Sequence, residues 1–118
     1  MDRRRRVPRQ IAGWMGKYVV EGDEPELWND CKVADVSVIG LGVELLGVVS
    51  DADNLRGRKI IVESTTPAGA SLTVRARGEV KNVGPETKRG ICVGIEFVEM
   101  TDLERSILDA LVAMDALW

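Results

Sequence analysis

The segment Leu-Thr-Val-Arg-Ala-Arg-Gly-Glu-Val-Lys, residues 72–81, carries the clearest pattern in the chain. Apolar or small residues alternate with polar ones along its whole length. Because successive side chains of a β-strand point to opposite faces, this alternation predicts a strand with one buried and one charged face. The same period recurs near the carboxyl end and predicts an inward face on the last strand, made of Ile91, Val93, Ile95 and Phe97.

Other segments predict strands that are separated by turns rather than by helices. Strands are predicted over Trp14 to Val20, Leu27 to Val36, Leu41 to Leu45 (with Leu41, Val43 and Leu45 buried) and Lys59 to Glu63, and turns at Ser37 to Gly40, Asp51 to Asn54 and Gly84-Pro85. Six short strands of this kind predict a mainly β protein, an antiparallel barrel or sandwich rather than βαβ units.

Only the carboxyl end changes period. Thr101-Asp-Leu-Glu104 has the pattern of a capping box, and an apolar stripe at helical spacing follows it. We therefore predict a terminal helix over about 101–117 that packs on or plugs the barrel. A helix that binds a partner, with Trp118 exposed, is the alternative.

Composition excludes several classes of function. The 118 residues suffice for one domain and include no histidine, which excludes Ser-His-Asp and Cys-His catalysis and histidine-ligated metals. The two cysteines, Cys31 and Cys92, are expected to be reduced and buried, and no metal site is expected. Neither a secretion signal nor an apolar stretch of about 20 residues is present, so we expect a cytoplasmic protein without membrane insertion. An enzyme is the least favoured class.

Charge is concentrated at the amino end. The first nine residues contain five arginines and one aspartate, whereas the whole chain has a net charge of −3. We predict a flexible basic arm over residues 1–10 and a barrel domain over 11–118. The acidic body disfavours binding of DNA or RNA, and the arm suits a small anion. A solvated, disordered tail would explain the same charge run.

Two short motifs are candidates for ligand binding. Arg5-Arg-Val-Pro-Arg9 places two guanidiniums four residues apart, and each offers a planar fork of donors to phosphate oxygens or to a guanine edge. Asp35-Val-Ser-Val-Ile-Gly40 places Asp35 and Ser37 at the same parity, so a continuing strand would point both to one face. The carboxylate can accept hydrogen bonds from guanine, and Gly40 permits a close backbone approach. Each motif alone is equally well explained, the first by any arginine cluster and the second by a turn closed through local hydrogen bonds.

In combination, the R-x-x-x-R arm, the following strand, the D-x-S-x-x-G turn and the closing segment Val93-Gly-Ile-Glu-Phe-Val98 resemble the PilZ domain family over nearly the whole chain. The resemblance implies a six-stranded antiparallel, Greek-key-like β-barrel that acts as a receptor for cyclic di-GMP. It implies that Arg5 and Arg9 hold phosphates and one guanine edge, that Asp35, Ser37 and Gly40 hold the other guanine, and that Arg4 supports a stacked ligand pair. It implies no cofactor besides this ligand.

Further contacts and alternative functions stay open. Arg75, Arg77 and Arg89 could add to the site, with Arg77 retained as a candidate, although a solvated strand face explains them as well. We expect a monomer or weak dimer that signals to a separate downstream protein. The alternatives are an adaptor barrel with weak or no nucleotide binding, and a small barrel that binds single-stranded nucleic acid, for which the few scattered aromatics are a poor platform.

Overall fold

A computed structural model describes residues 10–23, 25–47, 54–65 and 73–99, together with residues 101, 102, 105, 106 and 109. Six strands account for most of this part of the chain. They are β1 (Gln10–Val20), β2 (Asn29–Val36), β3 (Gly40–Leu46), β4 (Lys59–Thr65), β5 (Thr73–Glu86) and β6 (Gly90–Glu99). The predicted strands are therefore all present, several of them longer than the sequence pattern indicated.

The strands close into an antiparallel barrel in the order β1-β2-β3-β6-β5-β4. The fourth strand returns beside the first, so the first four have the spatial order 4-1-2-3 of a Greek key. Two three-stranded meanders, β1 to β3 and β4 to β6, are joined by the β3–β6 and β1–β4 pairs. The predicted six-stranded barrel is confirmed, and closure gives every strand a hydrogen-bonded neighbour on both sides.

Alternating residues of every strand fill the interior. The largest fully buried side chains come from β2 to β5, and they are Leu45, Ile60, Val33, Val36, Val43, Val80 and Cys31. β-Branched residues dominate this set because they pack well on a pleated surface. The inward face predicted for the last strand is confirmed, since Ile91, Val93 and Ile95 are buried and Phe97 packs against the same core.

The turn predicted at Gly84-Pro85 is wrong. β5 continues through both residues to Glu86, and the chain reverses at Thr87 to Arg89 instead. Register shifts between Val83 and Glu86 in the pairing with β6 account for this. Proline has no amide to donate, and an irregular stretch of a ladder is where a strand accommodates it.

Two predictions of burial are also corrected. Cys92 is exposed, although Cys31 is buried and both thiols are free as expected. Glu44, which the alternation assigned to the solvent face of β3, is only 7% exposed. The reason is that Thr87 and Arg89, from the β5–β6 turn, cover it: Thr87 Oγ1 donates to one carboxylate oxygen at 2.7 Å and Arg89 to the other at 3.1 Å.

The carboxyl end lies largely outside the described residues. Asp102, Arg105, Ser106 and Asp109 have helical backbone, and the Arg105 amide donates to the Thr101 carbonyl at 2.9 Å. The helix over about 101–117 and its capping box remain predictions.

Candidate functional site

A cavity of about 350 Å³ lies on the outer surface of the barrel, where β2, β3, β6 and β5 run side by side. Its polar lining comes from Asp35, Ser37, Lys81, Asn82 and Glu96. Four glycines also line it, Gly40, Gly42, Gly84 and Gly94, and they carry no side chain that would fill the cavity.

Backbone pairing fixes the arrangement of that floor. Asp35 pairs with Gly42, Gly42 with Gly94, and Gly94 with Asn82. These four residues form one row across four neighbouring strands. The row therefore has a polar residue at each end and two glycines between them.

Both polar side chains lean inward over the glycines. A Cβ atom placed on Gly42 would lie 2.5 Å from Asp35 Oδ2, and one placed on Gly94 would lie 3.2 Å from the side-chain amide of Asn82. The first distance is too short for any real side chain without a shift of Asp35. Glycine at position 42 is thus what allows the carboxylate to lie against the barrel surface.

Ser37 closes the turn that leads from β2 to β3. Its amide donates to the Gly40 carbonyl at 2.9 Å, and its Oγ accepts hydrogen bonds from the Ile39 and Gly40 amides at 3.3 and 3.2 Å. The side chain is buried. β2 ends at Val36, so Ser37 lies in the turn and not on a continuing strand, and a register shift between Val33 and Asp35 precedes it. Asp35 and Ser37 nevertheless line the same cavity.

The turn between β5 and β6 has the same construction. The Thr87 amide donates to the Gly90 carbonyl at 2.7 Å, and Thr87 Oγ1 accepts from the Arg89 and Gly90 amides at 3.2 and 3.0 Å. The same type of turn, in which a hydroxyl residue is followed three positions later by glycine, therefore occurs twice in the described part of the barrel. The Ser37–Gly40 part of the motif has a sufficient structural cause, and any ligand contact comes in addition to it.

Close packing of β3 against β6 explains the glycine in both turns. A Cβ atom on Gly40 would collide with the carbonyl oxygen of Ile95, and one on Gly90 with that of Leu45. Because both obstacles are backbone atoms in the middle of a ladder, no rotamer change relieves them.

The residues predicted for the site fall into three groups. Asp35, Ser37 and Gly40 come together in the cavity. Arg4, Arg5 and Arg9 lie outside the described residues. Arg77 lies elsewhere and is held by carboxylates.

The contacts of Arg77 explain its position. Its Nε and Nη2 donate to the two oxygens of Glu21 at 2.6 and 2.8 Å, and its Nη1 donates to Glu99 at 3.0 Å. This side chain joins the end of β1 to β5 and β6. Arg75 lies with its guanidinium 5.8 Å from the ring centroid of Trp28, and Arg89 pairs with Glu44.

The charges around the cavity do not favour an anion. Asp35 and Glu96 are acidic, and the ammonium of Lys81 is 2.6 Å from a carboxylate oxygen of Glu79. Hydrogen bonds from Lys59 and Lys81 lower the pKa of Glu79 to about 2, so this pair stays ionised at neutral pH. A phosphate bound here would require cations from beyond the described part of the chain.

Sequence reasoning did not identify Gly42, Gly94 or Asn82 as site residues. Gly42 and Gly94 stand at outward positions of their strands, which local alternation could have shown. Asn82 has the same parity as the buried Val80, so alternation predicts it to point inward, and the register shift between Val80 and Asn82 is what places it at the surface. What brings the three together is long-range pairing, which no local pattern contains. Glycine at an outward strand position was the available signal.

Other site types are absent from the described residues. No group of three acidic, cysteine or histidine residues there is placed to hold a metal ion. Burial, together with Asp30, raises the pKa of Cys31 to about 11, so this thiol is not a nucleophile at neutral pH. Among the same residues, no helix is long and apolar enough to cross a membrane.

Solved structures with the same fold share little sequence with this chain. The PilZ domain with c-di-GMP of YcgR from Escherichia coli has a TM-score of 0.70 and 13% identity, and the match covers 98% of this chain and 93% of that one. The structure of the Bacillus subtilis inhibitor of motility MotI/DgrA has a TM-score of 0.69 and 15% identity. That match covers 98% of this chain and 53% of MotI/DgrA, so this chain spans about half of the other's length.

YcgR from E. coli in complex with c-di-GMP gives a TM-score of 0.66 at 13% identity, over 94% of this chain and 45% of that chain. The comparison with curated proteins found no match. The profile of the PilZ domain family matches residues 3–114, nearly the whole sequence. The chain belongs to the PilZ domain family.

Proposed function

We propose that this protein is a receptor for cyclic di-GMP and that the cavity beside the Asp35–Gly40 turn is its binding site. The observation that carries the proposal is the carboxylate of Asp35, which lies against a glycine floor in an open cavity. A carboxylate in that position can accept the N1–H and N2–H₂ donors of guanine, which adenine does not offer. E. coli YcgR, which has the same fold, is solved with c-di-GMP.

The proposal assigns the phosphates to the basic arm. β1 begins at Gln10, which pairs with Val36, and the next residue, Ile11, pairs with Asp35. The arm is therefore joined to the barrel beside the cavity, and Arg5 and Arg9 are the proposed phosphate ligands, with Arg4 as a further contact for a second ligand molecule. This division of roles fits the charges, since the cavity supplies an acceptor for the base and the arm supplies cations.

In the proposed mechanism the arm is mobile without ligand and becomes ordered on binding. Ordering costs on the order of 1 kcal/mol per residue, and each charge-assisted hydrogen bond returns roughly 1.5–3 kcal/mol. Two or three arginine contacts would offset the ordering of several residues. The ordered arm and the barrel surface beside it would then form the surface that a downstream protein binds. In this proposal the protein acts in the cytoplasm and catalyses no reaction.

Isothermal titration of cyclic di-GMP into the full chain at about 0.15 M salt tests the proposal, with GTP as the ligand control. We expect saturable binding at micromolar concentration or tighter, weakened at least tenfold by Arg5→Ala, Arg9→Ala or Asp35→Ala. Arg56→Ala is the matched control because Arg56 is exposed and does not line the cavity. Absence of binding, or variants that bind like the wild type, would reject the proposal and favour an adaptor that binds a protein.

A further inference from the structure

The opposite end of the cavity floor from Asp35 has no role in the function proposed above. Asn82 stands there, on β5, and is exposed to solvent. Neighbouring strands are about 4.8 Å apart, so the three spacings between β2 and β5 separate the Cα atoms of Asp35 and Asn82 by roughly 14 Å. Both side chains extend over the floor. Their polar atoms are therefore closer to each other than their Cα atoms are.

The floor between them is backbone. Gly42 and Gly94 pair with each other and present peptide groups without side chains. The Asp35 carboxylate extends over Gly42 from one side and the Asn82 amide extends over Gly94 from the other. A planar base can lie above this backbone between the two side chains, with one edge facing each of them. In this arrangement one hydrogen bond of about 2.9 Å to each side chain would hold a bicyclic ring between Asp35 and Asn82.

The side chains of Asp35 and Asn82, at the two ends of the floor, are complementary to opposite edges of guanine. Asp35 accepts from N1–H and N2–H₂ on one edge. N7 lies on the other side of the ring system and is an acceptor, and the amide of Asn82 carries two N–H donors. The two residues would hold one base from both sides.

We propose that Asn82 is a further ligand-binding residue, whose side-chain amide donates a hydrogen bond to N7 of the guanine whose other edge binds Asp35. The inference rests on the proposed function and adds to it the orientation of the base, flat on Gly42 and Gly94. Asn82 positions the base, and Asp35 distinguishes guanine from adenine.

A thermodynamic double cycle, which combines one protein variant with one altered ligand, tests this contact. Wild type and Asn82→Ala are titrated with cyclic di-GMP and with its analogue in which 7-deazaguanine replaces guanine, so that a C–H stands in place of N7. We expect Asn82→Ala to weaken binding of cyclic di-GMP about tenfold. We also expect the loss caused by the analogue to be much smaller in the variant than in the wild type, because the two changes remove the same hydrogen bond.

Two controls separate this contact from general damage. Asn54→Ala removes the same type of side chain from an exposed position outside the cavity and should bind like the wild type. Gly94→Val covers the floor with a side chain and should reduce binding more than tenfold while the barrel stays folded.

The possible results are distinct. Wild-type binding that Asn82→Ala leaves unchanged, or losses that simply add, would overturn this inference and leave the receptor function intact. Wild-type protein that binds neither ligand would overturn the inference and the function together.

Discussion

The guanidinium of Arg105 donates a hydrogen bond of 2.9 Å to the carbonyl oxygen of Val38. Val38 stands between Ser37 and Gly40, in the turn that lines the candidate site, and Arg105 belongs to the helical stretch after β6. One side chain therefore connects the helical stretch after β6 to the turn that lines the candidate site. A second link runs through the backbone, since the Phe97 amide donates to the Ile39 carbonyl at 2.9 Å.

We predict that Arg105→Ala loosens this turn without unfolding the barrel. The bond is exposed, so its loss should cost well under 1.5 kcal/mol of global stability. Local opening should increase, and hydrogen exchange at the Ile39 and Gly40 amides should accelerate severalfold while exchange in β2 and β5 stays unchanged. Ser106→Ala, on the neighbouring exposed residue, is the control. Equal exchange rates in Arg105→Ala and the wild type would show that this bond does not restrain the turn.

The two glycines that enter β3 and β6 give a prediction about stability. Gly40→Ala and Gly90→Ala each force a Cβ atom against a carbonyl oxygen of the neighbouring strand, of Ile95 and Leu45 respectively. We expect each variant to lose about 2–3 kcal/mol in chemical denaturation, which is the upper part of the range of roughly 1–3 kcal/mol that is usual for overpacking. Gly94→Ala is the matched control, because its nearest neighbour is the movable amide of Asn82, at 3.2 Å, and its loss should stay below about 1 kcal/mol. A loss as large in Gly94→Ala as in Gly40→Ala would contradict the explanation.

Ser37 and Thr87 allow the structural role of a turn hydroxyl to be separated from ligand binding. Each accepts hydrogen bonds from two amides of its own turn, and only Ser37 lines the cavity. Ser37→Ala and Thr87→Ala should each lose about 1–2 kcal/mol of stability, with Thr87→Ala losing more because Thr87 also donates to Glu44. Only Ser37→Ala should weaken cyclic di-GMP binding, by threefold or more in titration calorimetry. Equal binding by both variants would assign Ser37 to the turn alone.

Sequence alone predicted most of the fold, because the period-2 pattern is a local property of each strand. All six strands, the inward face of β6 and the location of the Asp35–Gly40 turn follow from it. The pattern gave wrong predictions where contacts with distant parts of the chain determine whether a residue is buried or where a strand ends. Glu44 is buried by a turn that is more than 40 residues away in the chain, and Pro85 continues a strand because pairing with β6 is irregular there.

The site shows the same division between local and long-range information. Asp35, Ser37 and Gly40 could be grouped because they are close in sequence, and the structure places them around one cavity. Asn82 reaches that cavity only through the pairing of β3 with β6 and of β6 with β5, which sets the register across four strands. Arg77 was kept as a candidate on its outward direction, and the sequence could not show that Glu21 and Glu99 hold it.

The ion pairs of Glu79 and Glu21 predict how stability depends on pH. Hydrogen bonds from Lys59 and Lys81 lower the pKa of Glu79 from 4.5 to about 2 in the folded protein, and hydrogen bonding to Arg77 lowers the pKa of Glu21. The unfolded chain therefore binds protons more readily than the folded one. The stabilisation from these carboxylates is complete above pH 4.5 and disappears as the pH falls toward 2.

We therefore predict that Glu79→Gln is less stable than the wild type at pH 7, that the difference shrinks as the pH falls below 4.5, and that it vanishes below about pH 2. Urea denaturation at a series of pH values measures this, and NMR titration of the Glu79 carboxyl gives its pKa directly. Because Glu79 is partly exposed, 0.5 M salt should reduce the difference at pH 7. Glu86→Gln, at an exposed position of the same strand, is the control and should follow the wild-type curve. A constant difference between Glu79→Gln and the wild type across the whole pH range would mean that packing, and not the ion pairs with Lys59 and Lys81, is what the substitution removes.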